Sequence, residues 1–326
     1  MRPRVLECPR CGAPLPRRAA LVKTTCEYCR SDVVFERFAV RAADYRHTLQ
    51  SYLTGERADV EVAGVSLRLL GRLAIGHSSD VFLATRSTRL GERLVLKVLR
   101  SRDDQTLAQN EQSVLTRLEG STAPGTPYFT TLVPQRAFSG VLTGPGFPSA
   151  FAAAFRRPSG LSHTLEQVAR AFPSGIDARH AVWLWRRALE LVGWLHQSGV
   201  VHGQLLPAHV LVNAREHAVG LVGFSCAGSV GQARAFVDPE AADLYPAPGK
   251  VELSPATDLV MLARCMLRAL GGRSLDVPAH VPAPLERLLS EQASGSGSTD
   301  AATVSREVSE AARACFGPPR FIELAL

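Results

Sequence analysis

Four of the seven cysteines stand in two tight pairs, Cys8-x-x-Cys11 and Cys26-x-x-Cys29, with 14 residues between the pairs. A C-x-x-C turn aims two thiolates at one point, and two such turns face to face enclose an ion in four sulfurs. Tetrahedral soft donors suit zinc. Four protein ligands leave no position for water, so the expected ion is structural rather than catalytic. Two disulfides are the competing reading. They are disfavoured in the reducing compartment expected of a chain without an export signal. Cys226, Cys265 and Cys315 lack such spacing and read as small buried hydrophobes.

Residues 1–37 resemble a zinc ribbon, a module of ~30 residues whose core is too small to fold without its metal. The whole chain has 326 residues, 46% of them hydrophobic and 21% charged, which excludes wholesale disorder. The 26 glycines and 21 prolines are scattered without period, which excludes a collagen-like or coiled-coil rod. The opening MRPRVLECPRCG carries no apolar stretch of signal-peptide type. No run is long and apolar enough to span a bilayer, so a soluble, cytoplasmic chain with no membrane contact is expected. Net charge is +7, and only Lys23, Lys97 and Lys250 are lysines. Residues 1–60 hold 11 basic and 7 acidic side chains, so much of the excess lies at the N-terminus. That excess could attract an acidic partner.

Beyond the cysteines, apolar residues at helical spacing (Phe38, Ala42, Tyr45, Leu49, Leu53) predict a connecting helix over 38–53. Residues 62–100 alternate as strands in VSLRLLGRL, DVFLATR and ERLVLKVLR, with a turn at Gly91. A helix is expected over 104–118 with Leu107, Val114, Leu115 and Leu118 inward. Short strands follow at 129–136 and 149–156. From Asp177 the pattern turns helical. AVWLWRRALELVGWLHQSG forms a long helix stopped by Gly199, and further helices fall at 256–270, 284–292 and 300–315. EQASGSGST (291–299) reads as a flexible loop, and the apolar, proline-broken tail FGPPRFIELAL as a segment that docks on the body.

Six stretches in this order resemble the motifs of protein kinases, over about residues 64–315. LAIGHSSDVFLATR resembles the glycine-rich phosphate loop, with Ala74, Gly76 and Ser79 at the glycine positions and Val81 after them. LVLKVLR resembles the strand that carries the phosphate-contacting lysine, here Lys97, whose implied ion-pair partner is Glu111. VVHGQLLPAHVLV resembles the catalytic loop: His202 is retained, Gly203 stands at the arginine, Gln204 at the catalytic aspartate, Leu206 at the following lysine and His209 at the asparagine. LVGFSCAG resembles D-F-G, with Gly223 at the aspartate and Phe224 retained. VDPEAADLYP supplies Pro239 and Glu240 of A-P-E. SPATDLVMLARCML supplies Asp258, the carboxylate implied to brace the catalytic loop. The arginine that normally meets Glu240 has no counterpart in SEQASGSGSTDAATVS.

The implied fold is α+β and bilobal: an antiparallel-sheet N-lobe with one helix, then a mostly helical C-lobe, preceded by the small zinc ribbon. The divisions are 1–37 ribbon (Cys8, Cys11, Cys26, Cys29), 38–61 linker helix, 62–156 N-lobe, and 157–326 C-lobe with tail. The resemblance places the chain in the protein-kinase-like superfamily as a bacterial Ser/Thr-kinase-like pseudokinase. A neutral amide at Gln204 cannot act as base, and His209 and Gly223 do not supply the hard oxygens magnesium requires. No catalytic residue and no magnesium are therefore expected. ATP binding through Gly76, Val81, Lys97 and Glu111 stays open. His202, Phe224, Pro239, Glu240 and Asp258 remain as struts. Between Ser225 and Asp238 the one hydroxyl is Ser229, so a phosphorylation switch is not expected there. The implied role is a protein-binding scaffold or allosteric regulator with another protein as partner. Two alternatives stand beside it. One is a kinase or other phospho- or nucleotidyl transferase of atypical chemistry, with Asp80 and His209 as the acid–base groups. The other is a nucleic-acid adaptor using Arg2, Arg4, Arg10, Arg17, Arg18 and Lys23, which has little aromatic support.

Overall fold

The computed structural model describes residues 23–25, 30, 32–34, 59–86, 92–144, 147–156, 160–246, 252–273 and 275–325. Cys8, Cys11, Cys26, Cys29, the 38–53 helix and Gly91 lie outside the described residues. Two short strands, β1 (Lys23–Thr25) and β2 (Asp32–Val34), pair antiparallel with Thr25 opposite Asp32. They flank the second C-x-x-C in the chain.

The chain divides into two compact units. Unit 1 runs through Ala108 and resumes over Gln135–Arg157, and unit 2 holds Gln109–Pro134 and Pro158–Leu326. The helix expected in the N-lobe therefore falls largely in unit 2.

Unit 1 contains β3 (Asp59–Val62), β4 (Val65–Ile75), β5 (Ser79–Arg86), β6 (Arg93–Leu99), β7 (Gln135–Gly144) and β8 (Phe147–Arg156). The strands alternate in period two, which sends one face inward. Val60 and Val62, Leu67 and Leu69, Phe82 and Ala84, and Leu94, Leu96 and Val98 fill one core with Leu142, Ala152 and Ala154. The expected sheet is in fact a closed antiparallel barrel in the order β3-β4-β5-β6-β8-β7. Closure comes from β3, which pairs with β4 and also sets Glu61 opposite Thr143 and Val62 opposite Leu142 on β7. The barrel thus begins at Asp59, within the stretch expected as linker. Register shifts at Leu69/Gly71 and Arg72/Ala74 are the kind of irregularity that bends a strand around such a closure.

Unit 2 is built around helices. α1 (Gln105–Glu119) crosses the unit boundary and buries Ala108, Glu111, Val114, Leu115 and Leu118, with Leu107 half-buried. Residues 129–136, expected as a strand, instead form the end of α2 (Thr126–Phe129), a 3-10 turn at Thr130–Leu132 and only the first two residues of β7. Gly125 and Pro127 start this turn, and Thr130 and Thr131 hydroxyls bond carbonyls three or four residues back, which favours turn over strand. A capping box of Thr164 and Gln167 starts α3 (Leu165–Ala171). The central helix α4 (Ala178–Gln197) buries ten side chains, Trp185 and Trp194 among them. Asp177 caps it, and hydrogen bonds with Arg179 hold that carboxyl at a pKa of about 2.

A small sheet orders β9 (His163–Thr164), β10 (Val210–Asn213) and β11 (Ala218–Leu221) with β10 in the middle. Then come α5 (Pro255–Ala269), α6 (Ala283–Ser294) and α7 (Ala301–Phe316). The segment expected as a flexible loop is mostly ordered by these helices. Its first four residues belong to α6, Ser296 and Gly297 amides return to the Glu291 carbonyl at 3.0 Å, and Asp300 caps α7. The tail docks as expected: Phe321 stacks on His217 at 4.4 Å, His217 Nε2 donates to the Ile322 carbonyl at 2.8 Å, and Leu324 is buried. Cys226 and Cys265 are buried, while Cys315 is half-buried. Among the described residues no helix is long and apolar enough to cross a membrane.

Candidate functional site

In unit 1 the turn joining β4 to β5 carries the residues that resemble a phosphate loop. Gly76 N donates to the Ser79 carbonyl at 2.8 Å, and Arg100 N to that of Ser78 at 3.0 Å. Val81 on β5 pairs with Lys97 on β6, which in turn pairs with Ala153 on β8. Cross-strand partners share a face, so these three form a row on the face opposite the barrel core. Asp80 is clamped between two arginines: Arg100 Nε and Nη2 both reach Oδ1 at 3.0 Å, and Arg72 Nη1 lies 3.6 Å from Oδ2. That carboxylate is structural in its contacts.

In unit 2 the end of α4 feeds the segment 198–209. Asp258, fully buried on α5, accepts from His202 N and Gly203 N, both at 2.8 Å, and lies 3.0 Å from His196 Nε2. One carboxylate thereby fixes two consecutive peptide units. The buried His202 ring receives the Gln204 amide at Nδ1 (3.3 Å) and donates from Nε2 to the Val222 carbonyl (3.0 Å). A ring accepting at one nitrogen and donating at the other is neutral. Burial pushes the His202 pKa down, against the pull of Asp258. Its ring lies 4.7 Å from that of the buried Phe224. Gly203 has φ 71°, and a Cβ there would meet Leu253 Cδ2 at 2.4 Å. The space beside the backbone at that position is occupied by leucine.

The three positions expected to lack catalytic groups are tied to one another. His209 Nδ1 donates to the Gln204 carbonyl at 2.8 Å. The buried Tyr245 hydroxyl accepts from Asp238 N at 3.3 Å, and burial raises its pKa. Gly223 has φ 83°, and a Cβ on it would lie 2.8 Å from both Cδ2 and Nε2 of His209. The imidazole therefore occupies the room that any side chain at 223 would need. Among the described residues no three or more His, Cys, Asp or Glu side chains are grouped to hold a metal ion.

α1 holds the segment after Gly223. Glu111, buried, accepts from Phe224 N at 3.1 Å through Oε1. Asn110 Nδ2 donates to the carbonyls of Ser225 (2.9 Å) and Ala227 (2.8 Å), and Arg117 Nη1 to Ser229 Oγ (2.9 Å). Further on, Gly228 bridges Val201 and Ala233 bridges Glu252. Pro239 and Glu240 lie in a 3-10 turn capped by Asp238. From α5, Arg264 bonds the carbonyls of Asp243, Tyr245 and Ala293, and Arg268 bonds the Asp243 carboxylate at 2.5 Å.

Of the residues singled out from the sequence, unit 2 brings together Glu111, His202, Gln204, His209, Gly223, Phe224 and Asp258. Val81 and Lys97 meet in unit 1. Asn110, Arg117, Tyr245, Arg264 and Arg268 were not among them. Arg264 and Arg268 follow Asp258 at helical spacing on the same helix, a signal available once α5 is drawn. They hold the 239–245 segment through Asp243 and Tyr245.

No protein-family model matches the chain, and no curated protein matches it. Among solved structures, it is similar to the BubR1 kinase domain, with a TM-score of 0.59 and 14% identity over 78% of this chain and 83% of that one. It is also similar to a rhoptry kinase from Toxoplasma gondii, with a TM-score of 0.53 and 17% identity over 79% of this chain and 85% of that one. At such identities the likeness is one of fold, and the chain has a protein-kinase-like fold of α+β class.

Proposed function

We propose that this chain is a pseudokinase: a kinase-shaped domain without catalytic base or magnesium ligands that binds another protein as scaffold or allosteric regulator. The observation that carries this reading is the His209 ring seated over Gly223. In phosphoryl transfer an asparagine and an aspartate at these positions hold the metal ions, and an aspartate at the Gln204 position takes the hydroxyl proton. The residues present do not fit that magnesium pair. An aspartate at 223 would collide with the imidazole, and Gln204 is a neutral amide. Asp80, the carboxylate an atypical transferase would draw on, is engaged by Arg72 and Arg100. On this reading, any nucleotide the chain binds is held without a divalent ion.

The same proposal includes a structural zinc on Cys8, Cys11, Cys26 and Cys29. Its support is the donor chemistry and the β1–β2 hairpin flanking the second cysteine pair. The deciding experiment incubates purified protein with radiolabelled ATP and Mg or Mn, beside a thermal-shift titration with ATP in the presence and absence of Mg. The expected result is no label transferred to itself or to a generic acceptor, and any thermal shift indifferent to magnesium. Label transfer abolished by Lys97→Ala overturns the reading. Elemental analysis is expected to find one zinc per chain, lost on Cys26→Ser.

A further inference from the structure

α7 ends at Phe316, and the chain leaves it through Gly317 at φ 73°. Nothing lies within 4 Å of the place a Cβ would take there, so this joint sits in open space. Pro318, Pro319 and Arg320, which follow, are exposed. The tail then meets the body at three points. The Phe321 ring stacks on His217 with 4.4 Å between centroids, and His217 stacks in turn on Trp183 of α4 at 4.1 Å, with only 2° between those two planes. His217 Nε2 donates to the Ile322 carbonyl at 2.8 Å. Leu324 is 3% exposed.

The receiving surface is set by contacts of its own. Trp183 Nε1 donates to His180 Nδ1 at 3.2 Å on the preceding turn of α4, which fixes the indole plane. His217 stands between β10 and β11 at φ 50°, a left-handed backbone uncommon outside glycine, and its ring lies flat on that indole. The tail is held lightly by comparison. Phe321 gives one face to His217 and stays 66% exposed. Residues 321–325 lie in no helix or strand, and among the described residues it is the His217 imidazole that hydrogen-bonds them to the body. A peptide from another molecule that offers a ring, a carbonyl one residue on and a leucine three residues after the ring makes the same contacts without remodelling the surface.

We propose that Trp183 and His217 form a peptide-docking site which the chain's own tail occupies as a stand-in ligand, and that the partner is a protein presenting an aromatic residue followed three positions later by leucine. This deepens the pseudokinase reading, on which the chain acts by binding another protein, by giving that protein a chemistry. Occupancy by the tail is a brake. A tethered segment faces its site at an effective concentration on the order of millimolar, so a partner peptide binds well only where the tail is out. Binding makes and breaks no covalent bond.

The test follows fluorescence anisotropy of a labelled peptide, PPRFIELAL (residues 318–326), with the full-length protein and with a full-length form carrying Phe321→Ser and Leu324→Ser. The peptide is expected to bind the doubly substituted form about tenfold more tightly or better, because no tail competes. A peptide carrying the same two serines is expected to bind neither. Trp183→Ala, added to the doubly substituted form, is expected to lose most of the binding. Equal binding to both tail forms, or binding to neither, overturns the proposal, as does binding that survives Trp183→Ala. Melting temperatures accompany the variants, and if the Trp183→Ala form does not fold, His217→Ala decides. A dimer of the unsubstituted protein in light scattering, lost on Phe321→Ser, would give the site to a second copy and overturn the partner reading. ATP transfer, measured separately, overturns the pseudokinase reading alone. Failure of the peptide to bind a protein that transfers no phosphate overturns the docking site alone.

Discussion

Gly223 and His209 are matched residues, and neither can be changed alone without cost. Gly223→Asp forces a side chain onto φ 83° and into an imidazole 2.8 Å from its Cβ. A loss of about 2 kcal/mol or more is expected by urea denaturation. Paired with His209→Ala, the same substitution is expected to cost clearly less than the two single losses added, because the contact that opposes it is gone. Additive losses would mean that the two positions do not share this space. His202 gives a second prediction. Burial lowers its folded pKa below the unfolded value near 6.5. Below pH 6.5 the unfolded chain takes a proton that the folded chain refuses, so stability falls as pH drops and is level above. His180 and His217 are shifted in the same direction by burial, so their contributions share this sign. The urea midpoint is expected to be lower at pH 5.5 than at pH 7.5, with the His202 imidazole resonances unmoved between them. At this scale the sequence was informative, because each motif position is named by its neighbours in the chain. It was silent on what fills the vacated space. That His209 covers Gly223, or that Leu253 covers Gly203, joins residues 14 and 50 positions apart and exists only once they pack.

Among the elements, α1 is the one whose function its own sequence least reveals. Its apolar spacing fixes an inward stripe and predicts the helix, and Val114, Leu115 and Leu118 are buried accordingly. The polar residues on the same helix do something that periodicity does not report: Asn110, Glu111 and Arg117 grip the backbone and one hydroxyl of residues 224–229. Asn110 alone satisfies two carbonyls more than a hundred residues away. Asn110→Ala is expected to cost about 1–2 kcal/mol and to raise amide hydrogen exchange across 224–229 while leaving the β10–β11 hairpin protected. Unchanged exchange in that segment would show that α1 does not hold it. The misread strand at 129–136 has a similar lesson. Local hydroxyl-to-carbonyl bonds at Thr126, Thr130 and Thr131 outweigh an apolar alternation that lacks a neighbouring strand to receive it.

For the molecule as a whole, the order of motifs made the fold class legible, since six weak matches in sequence constrain one another more than any one of them does. Closure of the barrel was not legible. β3 is only four residues, DVEV, and alternates charge with valine as many exposed segments do. What sets it apart is its pairing on both sides, and that depends on where β7 lies. Val60 and Val62 are 3% and 0% exposed, a burial contributing about 1.5–3 kcal/mol each. A chain beginning at Gly64 should therefore melt several degrees lower than the full chain in calorimetry; an unchanged melting temperature would show the strand to be dispensable.

The double pairing of β3 also decides how the N-terminal part of the chain is connected to the rest. A strand bonded along one side can peel away and leave its neighbours intact. A strand that fastens the two ends of a sheet cannot. Whatever residues 1–58 engage is thus tethered to the stitch that keeps the barrel round, and tension on that leader is delivered to Glu61 and Val62, across from Thr143 and Leu142. The residues that carry the four paired cysteines thus precede, in the chain, the strand that closes the barrel.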